Sequence, residues 1–138
     1  MMRLELPLPT RIFVLAFLIL SSIVAVTMVV LSFVIKDGPP LFFALFLCFI
    51  VSMWWYLVSG TPYRIEYNGP DDIRFVMLRK TVRTSAMQIE SFKAGFNDGF
   101  YVLRHREGKF RMIVKFTGLY LLLAAIKEHN PSFETRGI

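Results

Sequence analysis

Two long stretches without a formal charge constrain this chain more than any other feature. The first runs from Ile12 to Ile35 and holds 24 residues; the second runs from Leu41 to Val58 and holds 18. A bilayer core of about 30 Å needs roughly 20 apolar residues at a helical rise of about 1.5 Å each. Both stretches reach that length, the second only just. Lys36-Asp37-Gly38-Pro39-Pro40 joins them. Asp37-Gly38 favours a turn and Pro40 can open a helix, so the link reads as the bend of a two-helix transmembrane hairpin. A cleaved signal core is roughly 7–15 residues long and ends at small residues, whereas the first stretch is longer and closes on Phe33-Val34-Ile35. The expected division is an N-terminal extension over residues 1–11, the hairpin over 12–59 and a separate domain over 61–138.

The extension reads MMRLELPLPT. Pro7 and Pro9 oppose a regular helix there, and Leu4, Leu6 and Leu8 alternate with other residues, which suits either an extended segment or a partly ordered end. Thr10 is the expected cap of the first helix. Within that helix Ser22, Ala25 and Ser32 are small, which suits a face packed on the second helix or on a partner subunit. Neither stretch contains Asp, Glu, Lys, Arg or His, the residues that proton relays and ion pathways use, so a pump or transporter is not expected of this chain alone. The second stretch is aromatic, with Phe42, Phe43, Phe46 and Phe49, and then Trp54, Trp55 and Tyr56. The last three are read as an interface belt, since indole and phenol rings favour the headgroup layer. The phenylalanines suit lipid contact, with packing on a pigment or quinone as the alternative.

Charge sets the expected orientation. Arg3 and Arg11 precede the first stretch and Arg64 follows the second, while the link has one Lys beside an Asp. Positive-inside logic then puts both termini in the cytoplasm. Of 16 Lys and Arg, 13 lie after Gly60, against eight of the ten acids, so the last part of the chain carries +5 of the net +6. Cys48 is the single cysteine, which leaves no intramolecular disulfide and no thiolate metal site.

After Gly60 the period changes from helical to alternating. Tyr63 to Tyr67, Ile73 to Leu78, Thr81 to Ser85, Met87 to Ala94, Phe100 to Arg106 and Lys109 to Phe116 read as six strands. Asn68-Gly69-Pro70-Asp71 and Asn97-Asp98-Gly99 supply turn chemistry between them. Asp71-Asp72 is read as part of a turn rather than as a pair of acid–base carboxylates. Thr117 is the expected cap of a closing helix whose apolar stripe is Leu119, Leu122, Leu123 and Ile126, ending at His129 before Asn130-Pro131.

Two apolar helices, a basic strand meander and a terminal helix resemble the bacterial pleckstrin-homology-like (PH-like) membrane proteins. The stretch Ile73 to Lys93, with its Ile89-Glu90-Ser91, and the helix end Ala125 to Pro131 carry the likeness. The resemblance implies a bent antiparallel sheet of six or seven strands closed by a C-terminal helix, in a protein of the bacterial inner membrane.

The candidate contact residues are Arg74, Arg79, Lys80 and Arg83. In the eukaryotic domains of that kind the corresponding edge grips phosphoinositide headgroups, but their spaced Lys-Arg-x-Arg signature is absent here. Anionic lipid, a protein partner or plain solvated strand faces all suit these charges. His105 lies between Arg104 and Arg106, two cations that disfavour its protonation, and it has no second ligand at metal spacing. No Ser-His-Asp or Cys-His set, phosphate loop or recognised RNA-binding motif is visible, so neither an enzyme, nor a cofactor, nor a nucleic-acid partner is expected. The expected role is a non-catalytic accessory or assembly subunit of a larger integral membrane complex, with membrane lipids around the hairpin. The alternative is a membrane-anchored sensor or adaptor.

Overall fold

The chain forms helices where uncharged residues run on and strands where they alternate. The computed structural model describes residues 1–94, 100–113 and 116–136. The chain divides into two compact units: Leu8–Val58, and Met1–Pro7 together with Ser59–Ile138.

The first unit is a helical hairpin, α1 (Leu8–Val34) and α2 (Leu41–Ser59). Both helices are long and apolar enough to cross a bilayer. α1 starts earlier than expected. Pro9 falls in its first turn, where a missing N–H removes no helical bond, so Thr10 lies inside the helix and not at its cap. Leu18 and Ala25 on α1, and Ala44 and Val51 on α2, are buried. Each pair is seven residues apart, the spacing that keeps one seam facing a partner helix. Gly38 makes the bend possible. Its N–H bonds to the Ile35 carbonyl at 3.0 Å, and a Cβ there would fall 2.5 Å from the Leu31 carbonyl oxygen.

The second unit holds eight strands among the described residues: β1 (Met2–Glu5), β2 (Pro62–Tyr67), β3 (Ile73–Met77), β4 (Thr81–Thr84), β5 (Ile89–Ala94), β6 (Phe100–His105), β7 (Gly108–Ile113) and β8 (Glu134–Arg136). A 3₁₀ turn, Ala86–Gln88, precedes β5, and helix α3 (Leu119–His129) lies between β7 and β8. The strands form two four-stranded sheets rather than one, ordered β1-β2-β3-β4 and β7-β6-β5-β8. All pairings are antiparallel except that of β5 with β8.

The N-terminal segment is therefore not an extension but an edge strand of the first sheet. Leu4 pairs with Ile65, and the Leu6 N–H bonds to the Tyr63 carbonyl at 3.1 Å. Leu4 and Leu6 are both buried, and the boundary of this unit takes in residues 1–7 as well as those from 59 on. The expected turn at Asn97-Asp98-Gly99 lies outside the described residues.

Both sheets feed one core. Phe75 from β3 meets Phe110 from β7 with ring centroids 4.9 Å apart, and Ile65, Ile73, Ile89, Phe92 and Met112 surround them. Leu119, Leu122, Leu123 and Ile126 of α3 complete it, the stripe that the helical spacing predicts. The cap differs: Gly118, at φ 80°, precedes α3, and Thr117 is exposed. A Cβ at Gly118 would sit 3.1 Å from Leu4 Cδ2, so β1 and the start of α3 are in close approach.

Candidate contact site

The four basic residues fall into a ladder pair and a turn pair. Arg74 and Arg83 stand opposite each other in the β3–β4 ladder. Like charges at that spacing repel, and Asp72 offsets this. Arg74 Nε and Nη2 donate to the two Asp72 carboxylate oxygens at 3.2 Å each, and Arg83 Nε donates to Oδ1 at 2.7 Å. Asn68 Nδ2 adds a bond at 3.1 Å. The hydrogen bond from Asn68, followed by that from Arg74, holds the Asp72 carboxyl below its ordinary value. The sequence marks Asp72 only as a turn residue; here it is the hub of an ion-pair cluster. Its position one residue before β3, two before Arg74, is the signal that a strand reading can supply.

Arg79 and Lys80 lie in the β3–β4 turn. The Met77 N–H bonds to the Lys80 carbonyl at 2.9 Å, which closes the turn. Lys80, Arg83, His105, Glu107, Lys109 and Phe110 line one polar cleft. Three cations against one carboxylate give this cleft a positive balance.

His105 is buried at the cleft, its ring 5.8 Å from that of Phe110. Its Nδ1 accepts from the Glu107 backbone N–H at 3.4 Å. Burial pushes its pKa below the ordinary value, with Lys80 acting in the same direction and Glu107 and Glu90 opposing. The lowered protonation expected from Arg104 and Arg106 is present, but the cause is different. On a strand the neighbours of a buried residue point the other way, and both arginines are exposed, Arg104 pairing with Glu90 at 3.0 Å.

In the hairpin, Ser22, Ala25 and Ser32 all meet α2 or the link. Trp55 Nε1 donates to Ser22 Oγ at 2.8 Å, Cys48 Sγ approaches the Ala25 carbonyl at 3.9 Å, and Ser32 Oγ lies 2.8 Å from the Pro39 carbonyl oxygen. Trp54, Trp55 and Tyr56 are exposed near the end of α2. Trp55 directs its only donor to α1.

One buried polar residue escapes a motif search. Asn130, at the end of α3, donates through Nδ2 to the Ala86 and Ile89 carbonyls at 3.1 and 2.8 Å and accepts from Ser132 Oγ at 2.6 Å. It ties α3 to the 3₁₀ turn and to β5. Among the described residues no three His, Cys, Asp or Glu side chains converge as a metal site. No protein-family model matches the chain, and no curated protein or solved structure matches it.

Proposed function

We propose that α1 and α2 span a bilayer as a hairpin, and that the second unit is a PH-like docking module of a non-catalytic accessory or assembly subunit in a larger membrane complex. The observation that carries the docking role lies on α3. Its inner stripe is buried, yet the adjacent Tyr120 and Leu121 on its outer side are 70% and 48% exposed. Large apolar side chains side by side on a water-facing helix suit a protein partner, and aromatic residues are enriched at such contacts. The charge arrangement agrees with this. Asp72 engages Arg74 and Arg83, which weakens the field they offer to a headgroup.

The β1–β2 pairing supports a topology with both hairpin ends on one side, since residues flanking α1 and α2 share a sheet. Arg3, Arg11 and Arg64 near those ends favour the cytoplasm, and the bacterial inner membrane suits the whole arrangement. A sensor that binds an anionic lipid or a soluble protein is the second reading, favoured by the positive balance of Lys80, Arg83 and Lys109 against Glu107 in the cleft.

Purification of the full chain in mild detergent, with a tag after Ile138, tests the docking role. A stoichiometric integral membrane partner is expected, lost on changing Tyr120→Glu and Leu121→Glu together while the melting temperature stays unchanged. Recovery of the protein alone, from native membranes and at native abundance, overturns it.

A further inference from the structure

The first sheet has two unlike ends, fixed by its register. At one end Pro62 pairs with Met77, and the β3–β4 turn closes. At the other end Tyr67 pairs with both Met2 and Ile73, and Ile73 pairs with Thr84. Both apolar helices join the chain at the first end. Glu5 pairs with Arg64 there, and Leu6 is bonded to Tyr63 two residues before α1 begins. Ser59, the last residue of α2, accepts a hydrogen bond through its carbonyl from the Arg79 N–H at 3.3 Å. The turn Leu78-Arg79-Lys80 thus sits within one hydrogen bond of the residue where the second apolar helix stops.

Leu78 is 55% exposed at that turn, and Arg79 and Lys80 beside it are also exposed. This triplet sets an exposed leucine directly beside two cations. It suits a bilayer boundary, where the apolar side chain leaves water and the cationic heads meet phosphates. The Trp54-Trp55-Tyr56 group lies about one helical turn before Ser59, at the depth where such rings favour headgroups. We propose that Leu78-Arg79-Lys80 is a membrane-contact turn: Leu78 enters the headgroup–acyl boundary, and Lys80 meets anionic headgroups. This rests on the reading of α1 and α2 as a membrane hairpin. It divides the basic set by role: the turn meets lipid, whereas Arg74 and Arg83 are held by Asp72 toward the opposite end of the sheet.

The test uses the full chain with Cys48→Ala, reconstituted into phosphatidylcholine vesicles containing phosphatidylglycerol. Single cysteines are placed by Leu78→Cys, Met87→Cys and Leu20→Cys, and each is labelled with an environment-sensitive fluorophore. Met87 is the reference, because it is 68% exposed and follows Thr84 at the opposite end of the sheet. Leu20, 64% exposed midway along α1, reports insertion of the hairpin. Shallow spin-labelled lipid should quench the probe at 78 several-fold more than the probe at 87, and deep spin-labelled lipid should quench the probe at 20. Lys80→Gln should reduce quenching at 78 in these vesicles and leave it unchanged in phosphatidylcholine alone. Equal quenching at 78 and 87, with the probe at 20 still quenched, overturns the membrane-contact turn and leaves the hairpin standing. Loss of quenching at 20 and 78 together overturns the hairpin reading and the turn with it.

Discussion

Arg74 and Arg83 occupy the same register position on neighbouring strands, and a single carboxylate, Asp72, bonds to both. That carboxylate offsets the repulsion between them. Asp72→Asn should lower the melting temperature, and the loss should shrink with added salt as the Debye length falls from about 10 Å at 0.1 M to about 3 Å at 1 M. Adding Arg83→Gln should restore part of the lost stability. Because the folded-state pKa of Asp72 is depressed, its contribution is present above its ordinary value of 3.8 and is lost as pH falls through the lower folded value. A salt-independent loss in the Asn variant would refute the charge argument.

Leu4 is buried in the core between β2 and the start of α3. Leu4→Ala should destabilise the sheet-bearing unit by about 2–5 kcal/mol, the usual cost of such a truncation in a core. Met87→Ala, at a position 68% exposed in the same unit, should change little. Thermal unfolding of the two variants in detergent, followed by circular dichroism in the strand region, gives the comparison.

The inner stripe of α3 admits a sharper contrast. Leu122 is fully buried, whereas Glu128 is exposed. Leu122→Asp buries an unpaired carboxylate at a cost of several kcal/mol, comparable with the whole stability of a small domain. That variant should be degraded in cells while Glu128→Ala accumulates normally. Immunoblots showing equal abundance would mean that α3 does not pack on the sheets.

His105 gives the fold a mild acid sensitivity. Burial first, and Lys80 second, depress its pKa, so the unfolded chain takes up a proton more readily than the folded one. Stability should be full above the ordinary value of 6.5 and decline as pH falls below it. Melting temperatures measured between about pH 7.5 and about pH 5.5 should fall for the native chain and stay flatter for His105→Phe. The same slope in both would assign the effect to another group.

Much of this architecture is legible in the residues. The two uncharged stretches became α1 and α2, and the spacing of Leu119, Leu122, Leu123 and Ile126 gave the buried face of α3. What escaped has a common cause. β1 and β8 are short edge strands of four and three residues, and neither is long enough for alternation to rise above chance. Their pairing is set by partners far away in the chain, Tyr67 to Arg64 and Ser91 to Lys93, which no local window contains. The grouping of the basic residues shows the same limit of a local window. Arg74, Arg79, Lys80 and Arg83 are close in sequence, but a ladder and a turn separate them, and their grouping depends on Asp72. Asn130 reads as a helix stop, and only the folded chain shows the two carbonyls it holds.

The place of β1 ahead of α1, with its partner β2 behind α2, bears on how the protein is made. When β1 leaves the ribosome its partner strand does not yet exist, and the first sheet stays incomplete until the whole hairpin has been synthesised. Leu4 and Leu6 must wait, uncovered, through that interval. If one helix of a membrane hairpin failed to insert, β1 and β2 would be stranded in different compartments and the sheet could never close. On the proposed hairpin reading, completion of the first sheet would report that both helices have inserted, and a misinserted chain would keep an unpaired strand edge and two bare leucines.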